Sequence, residues 1–208
     1  MHAIHTTPGF IVGSNQYGEA DKLISIFTRD MGLVRAVAQG IRLERSKLRY
    51  HSNDYSFGVF SLVRGKEVWR LTSAQSGSIG AQSSVGTQNS SIELSGDVAA
   101  VQAFWARIAL LLRRFLQGEE ANTQLFEVIE SCHIFLNTVL SQSTNNLDAI
   151  ESLVVIRIMH ALGYIGDNKE IHSFIYSNDL TLGVCELAMS KKTLINQHIN
   201  KALKESHL

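Results

Sequence analysis

Between Gly40 and Tyr50 the chain reads GIRLERSKLRY, which sets Arg42, Arg45, Lys47 and Arg49 against one acid, Glu44. Closely spaced cations of this kind bind phosphates by releasing counterions, and they break no bond. A solvated loop without function has the same composition. Motifs that do break bonds are missing. No GxxxxGK[ST] phosphate loop occurs, and Gly77–Gly80 lies in a polar stretch with no strand before it and no capped helix after it. No CxxC or HExxH pattern supplies metal ligands. Cys132 and His133 are adjacent on a predicted helix, about 100° apart, and so face different surroundings. The serines cluster where nothing would hold a nucleophile rigid, and the carboxylates are spread along helix faces. The sequence therefore predicts a binding protein, not an enzyme, with neither metal nor cofactor. A helical hydrolase with an unrecognised site is the weakest of the rival readings.

Whole-chain charge hides this basic segment, because 19 Lys and Arg balance 19 Asp and Glu over 208 residues. Residues 1–80 carry ten basic and six acidic groups, a net of +4, and residues 81–208 carry nine and thirteen, a net of −4. Such an asymmetry between halves points to a polyanion partner for the first half. A hydrophobic fraction of 45% is enough for a core and excludes disorder of the chain as a whole. The apolar runs Ile108–Leu112 and Leu153–Ile156 end at Arg113 and Arg157, too short for a membrane span. The N-terminal MHAIHTTPGFIVGSNQ lacks the pattern of a secretory signal, and two cysteines 53 positions apart argue against a disulfide scaffold. A reducing cytoplasm is the expected compartment.

Five short strands are expected in the first 75 residues: Phe10–Ser14, Lys22–Arg29, Leu33–Gln39, Tyr55–Val63 and Val68–Ser73. Ile24, Ile26 and Thr28 share one face of the second, and Val34, Ala36 and Ala38 one face of the third. Five strands with a longer insertion between the third and fourth fit a small OB-type barrel. An SH3-like barrel or a five-stranded half-sandwich fits nearly as well. Residues 76–96 are rich in Ser, Gly and Gln and read as a polar linker. From residue 97 the period is helical: Val98, Val101, Trp105, Ile108, Leu112 and Phe115 recur at steps of three and four. Helices are likewise expected around Leu125–Val139, Leu147–Leu162 (apolar nearly all round, hence central), Ile171–Tyr176 and Lys191–Glu205. The chain thus divides into a β-barrel, residues 1–75, the linker, and an all-helical domain, residues 97–208.

The barrel's residues also resemble a known family. Tyr17-Gly18-Glu19-Ala20-Asp21, Phe27-Thr28, Gly32, Ala36-Val37-Ala38-Gln39-Gly40, Arg42, Ser46 and Leu48 are similar to the N-terminal signature of RecO, a bacterial recombination-mediator and DNA-repair family. The stretch Val59–Thr72 resembles the rest of that family's OB barrel. Leu162-Gly163-Tyr164 and Ala202–Leu208 resemble parts of its helical half more faintly. Many RecO proteins carry a four-cysteine zinc ribbon soon after the LGY position, whereas Tyr164–Tyr176 has no cysteine, so no metal is expected. The family's C-terminal tail is also usually longer and more basic.

The resemblance implies non-specific binding of single- and double-stranded DNA, annealing of complementary strands, and work with RecR. It further implies engagement of the acidic tail of single-strand binding protein, help in loading a RecA-type recombinase, and a cytoplasmic, nucleoid-associated location. The candidate phosphate contacts are then Arg29, Arg35, Arg42, Arg45, Lys47, Arg49 and Arg70, with Tyr17 and Tyr50 as stacking platforms. Phe27, Phe57, Phe60 and Trp69 are better explained as barrel core. Glu19 and Asp21 cannot bind phosphate and are expected to fix the turn into the second strand or cap loop amides. Arg107, Arg113, Arg114 and Arg157 are candidates for an acidic, aromatic-ended partner tail, although Arg113 and Arg114 also fit the polar side of their helix. The main alternative is a protein-interaction scaffold of the same fold with little affinity for DNA.

Overall fold

The computed structural model describes residues 3–77, 97–139, 147–176 and 180–205. They form two compact units, Met1–Asn122 and Thr123–Leu208. The first holds five strands, β1 (Ile4–Tyr17), β2 (Asp21–Thr28), β3 (Gly32–Ala38), β4 (Phe57–Arg64) and β5 (Trp69–Ser76), and helix α1 (Asp97–Phe115). The strands close into a barrel in the order β1-β2-β3-β5-β4. All ladders are antiparallel except β3–β5, in which Ala36 and Val37 pair with Trp69 and Arg70. A five-stranded barrel of this order is the OB arrangement.

Alternation along the strands decides which side chains fill it. Ile11, Ile24, Ile26, Val34, Ala36, Phe60, Leu62 and Leu71 turn inward and form one buried cluster. β1 is much longer than its apolar centre. Ile4–Phe10 pairs with Phe57–Val63 of β4, and Phe10–Tyr17 pairs with Asp21–Phe27 of β2, so backbone pairing carries its polar ends. A bulge between Ile11 and Gly13 bends β1 from one partner toward the other.

The barrel's outer surface also has a buried patch. Phe10 lies opposite both Phe27 and Phe57 in the ladders, so all three rings point outward. Helix α1 covers this patch, with Trp105 5.2 Å from both Phe10 and Phe57 between ring centroids. Phe104, Trp105, Ile108 and Leu112, spaced by one, three and four, are all buried. Helix α1 therefore belongs to the barrel's compact unit, Met1–Asn122.

After α1, a short strap crosses the barrel wall. Leu33 N donates to Gly118 O at 3.2 Å, Trp69 Nε1 donates to Glu119 Oε1 at 2.9 Å, and Arg64 pairs with the other oxygen of Glu119. Gly32 lies beneath the strap with φ +69°, and a Cβ there would stand 2.2 Å from Glu120 O. No side chain fits in that space.

The second unit consists of α2 (Thr123–Val139), α3 (Leu147–Ala161), α4 (His172–Ile175), α5 (Leu182–Ser190) and α6 (Lys192–Glu205). Helix α3 is its centre and packs against the other four, as its nearly unbroken apolar sequence requires. Helix α5 has no counterpart in the sequence reading. It is only nine residues long, and its start is marked by Thr181, whose Oγ1 accepts from Val184 N at 3.4 Å. Among the described residues no helix is long and apolar enough to cross a membrane.

Candidate nucleic-acid interface

The basic segment follows β3 and closes against the turn between β1 and β2. Asp21 Oδ1 accepts from Gly40 N at 2.7 Å, so this signature carboxylate caps a loop amide. Arg42 N donates to Ala20 O at 3.0 Å, and Arg42 Nη1 donates to Glu19 O at 2.8 Å. Glu19 contributes its backbone and leaves its carboxylate free of that role. Ile41 is buried in the barrel core and Leu48 packs against it. A 3-10 turn, Lys47–Tyr50, follows, and His51 Nδ1 then meets Ser76 Oγ at 2.7 Å. Two apolar anchors and several backbone bonds thus hold the segment at both ends.

Arg42, Arg45, Lys47 and Arg49 are all exposed between those anchors. Among the described residues none of the four lies within ion-pair distance of a carboxylate. Their charge is therefore not compensated locally and is offered to solvent. Tyr17, 51% exposed, ends β1 beside this loop, and Tyr50, 71% exposed, ends the 3-10 turn. Both rings are accessible enough to stack on a base. Lys22, the residue opposite Ala38 at the same end of the β2–β3 ladder, adds a further cation. Lys22 is not among the cations singled out from composition, although strand register puts it opposite Ala38, two residues before Gly40.

Arg35 and Arg70 lie on the barrel wall near this end. Arg35 pairs with Ser25 and Arg70 with Val37 and Val63, and both are exposed. Arg29 is not brought to the same place. It follows the end of β2, seven residues from Lys22, which is about 23 Å along a strand at ~3.3 Å per residue. Half-buried there, it donates its backbone N–H to Pro8 O. The strand aromatics Phe27, Phe57, Phe60 and Trp69 are all buried.

The four arginines considered for a partner tail are not one group. Arg107, Arg113 and Arg114 are exposed on α1, in the first unit. Arg157 is in the second unit and buried, with Nε donating to Phe174 O at 2.7 Å. It sits on the central helix α3, eight of whose fifteen residues are buried.

Other polar clusters lie in the second unit. Burial raises the Cys132 thiol above its ordinary range, with nearby Cys185 acting in the same direction. Burial holds His133 down at about 4, and its Nε2 lies 3.1 Å from Asn137 Nδ2, the contact of a neutral acceptor ring. At the end of α4, Tyr176 Oη donates to Asp167 of the preceding loop, which keeps the exposed carboxyl low and the phenol high. No group of three or more His, Cys, Asp or Glu among the described residues is placed to hold a metal ion.

Residues 1–78, the barrel with its basic loop, match the family model described as Recombination protein O N terminal. Through this domain the chain is similar to the RecO family. The DNA repair protein RecO of Rubrobacter xylanophilus is 38% identical over 74 residues, covering 36% of this chain and 30% of the relative. That of Clostridium perfringens is 27% identical over 213 aligned positions, covering 96% of this chain and 77% of the relative. That of Synechocystis is 27% identical over 172 positions, with 83% and 57% covered. The chain thus spans less than two thirds of the length of most of these RecO relatives.

Proposed function

We propose that this chain acts in DNA repair and recombination as a RecO-like mediator without catalytic activity of its own. The observation that carries this reading is the loop Gly40–Tyr50. It holds four exposed, locally uncompensated cations between two accessible tyrosines, on an OB barrel of the RecO type. Arg42, Arg45, Lys47 and Arg49 contact the DNA backbone, Arg35 and Arg70 extend the contact along the wall, and Tyr17 and Tyr50 stack on bases. Phosphates are common to every sequence and to both strand states. Binding is therefore non-specific and extends to single- and double-stranded DNA.

Holding two strands in one cationic field also favours their annealing. RecR, single-strand binding protein and, indirectly, a RecA-type recombinase are the partners of this role, with the bacterial cytoplasm and nucleoid as its setting. The test is annealing of two complementary labelled strands, bare and coated with single-strand binding protein, with and without the chain. Faster annealing of both supports the reading. A chain that binds RecR yet leaves annealing and DNA mobility unchanged is instead a protein-interaction scaffold.

A further inference from the structure

A cavity of about 670 Å³ lies on the barrel wall between the β2–β3 face and the end of α1. Its floor is Leu23, Ser25, Leu33 and Arg35, and Leu116 and the following strap form a wall. Arg113 of α1 enters from the opposite side. Strand register shows how the two arginines meet. Gly13, Ser25 and Arg35 form one row across β1, β2 and β3, each the ladder partner of the next. A Cβ built on Gly13 would lie 3.4 Å from Arg113 Nη1, so this guanidinium occupies the space that a side chain of β1 would fill. Arg35 and the Arg113 head therefore flank Ser25, about two strand spacings (~10 Å) from one side to the other. Two long guanidinium side chains at that separation can close on a single anion above the serine hydroxyl.

Two carboxylates also line the cavity, Glu67 and Glu119. Glu119 is already engaged by Arg64 and Trp69, and Glu67 is exposed on the β4–β5 turn. The floor therefore keeps two cations and a hydroxyl beside leucine side chains. That combination suits an anion attached to a flat or apolar body. The volume is that of a nucleotide-sized site.

We infer that Arg113 and Arg35 clamp one backbone phosphate of a single DNA strand in this cavity, with its sugar and base over Leu23, Leu33 and Leu116. This rests on the DNA-binding reading above and adds to it a contact from outside the barrel. Helix α1 then completes the binding groove.

The experiment measures binding of the full chain to a labelled oligothymidylate of about 16 nucleotides, the upper site size of one OB barrel, over a series of salt concentrations. Arg113→Ala and Arg35→Ala are each expected to lower affinity severalfold. The double variant is expected to flatten the log–log salt slope by about 0.7, one single-strand phosphate, and to lose less than the product of the single losses. Ser25→Asp puts a carboxylate between the arginines and is expected to weaken binding equally without touching α1. It decides the matter should Arg113→Ala loosen the fold. Unchanged affinity and slope in Arg113→Ala and Ser25→Asp, while Arg45→Ala/Lys47→Ala/Arg49→Ala binds less, overturn the clamp and leave the DNA reading standing. A wild-type chain that binds no oligothymidylate overturns both. Release of the strand by inorganic phosphate beyond that by chloride at equal ionic strength makes this a free-anion site, and also overturns the clamp.

Discussion

Replacing Arg45, Lys47 and Arg49 together by Ala removes three exposed cations from the loop and leaves its anchors in place. Ile41 and Leu48 still pack on the core, and Asp21 still accepts from Gly40 N. Arg42 is spared because its guanidinium also bonds Glu19 O. Exposed side chains without partners change stability by no more than ~0.5 kcal/mol each, so the variant is expected to melt close to the wild type. Binding is expected to change much more. Each phosphate neutralised on a single strand contributes about 0.7 to the slope of log affinity against log salt, so three contacts contribute about 2. Between about 50 and 200 mM salt that amounts to roughly a twentyfold difference. Wild type loses that much more affinity than the variant over the same range. Fluorescence anisotropy of a labelled strand at several salt concentrations measures both slopes. Equal slopes refute the assignment of these residues to phosphate. A coincident fall in melting temperature and binding shows instead that the loop supports the fold.

Three further outcomes follow from the packing. Gly32→Ala places a Cβ 2.2 Å from Glu120 O at a left-handed φ, and is expected to cost at least ~2 kcal/mol in urea unfolding; full stability would show that the strap moves freely. Trp105→Ala strips the cover from Phe10 and Phe57, with an expected loss of about 3–5 kcal/mol and new binding of a hydrophobic dye; a loss below ~1 kcal/mol contradicts the docking of α1. His133 is neutral in the folded chain down to about 4, against an ordinary 6.5. Its stabilisation is complete above about 6.5 and is lost as pH falls toward about 4, because only the unfolded chain takes up the proton in that interval. With solvent screening of the partly exposed ring, this is about 1 kcal/mol between pH ~7 and ~5. His133→Gln should remove that part of the acid sensitivity, and an unchanged pH profile in urea unfolding rules it out.

Strand alternation made the barrel legible, because Ile24, Ile26, Val34, Ala36 and Ala38 point inward at the spacing of two that the sequence displays. The basic loop was legible from composition alone. Its anchors were less so, since Ile41 and Leu48 are single apolar residues among cations and only the barrel end gives them a core to enter. The polar ends of β1 carried no strand signal because ladder bonds, not side chains, hold them. The attachment of α1 to the barrel was hidden for a different reason. An amphipathic helix shows that it has a buried face but not what covers it, and outward-facing Phe27 and Phe57 are read as barrel core from their types alone. Arg29 and Arg157 illustrate the same limit: charge is visible in the sequence, but position along a strand and enclosure within a bundle depend on the fold.

The central claim is that the barrel binds DNA through phosphate contacts. The most direct measurement is the affinity of the unaltered chain for single strands of two unrelated sequences at low and at moderate salt. Phosphate contacts predict equal affinities for the two sequences and a steep decline of both with salt. Absence of binding at low salt, or binding that salt leaves unchanged, would contradict it.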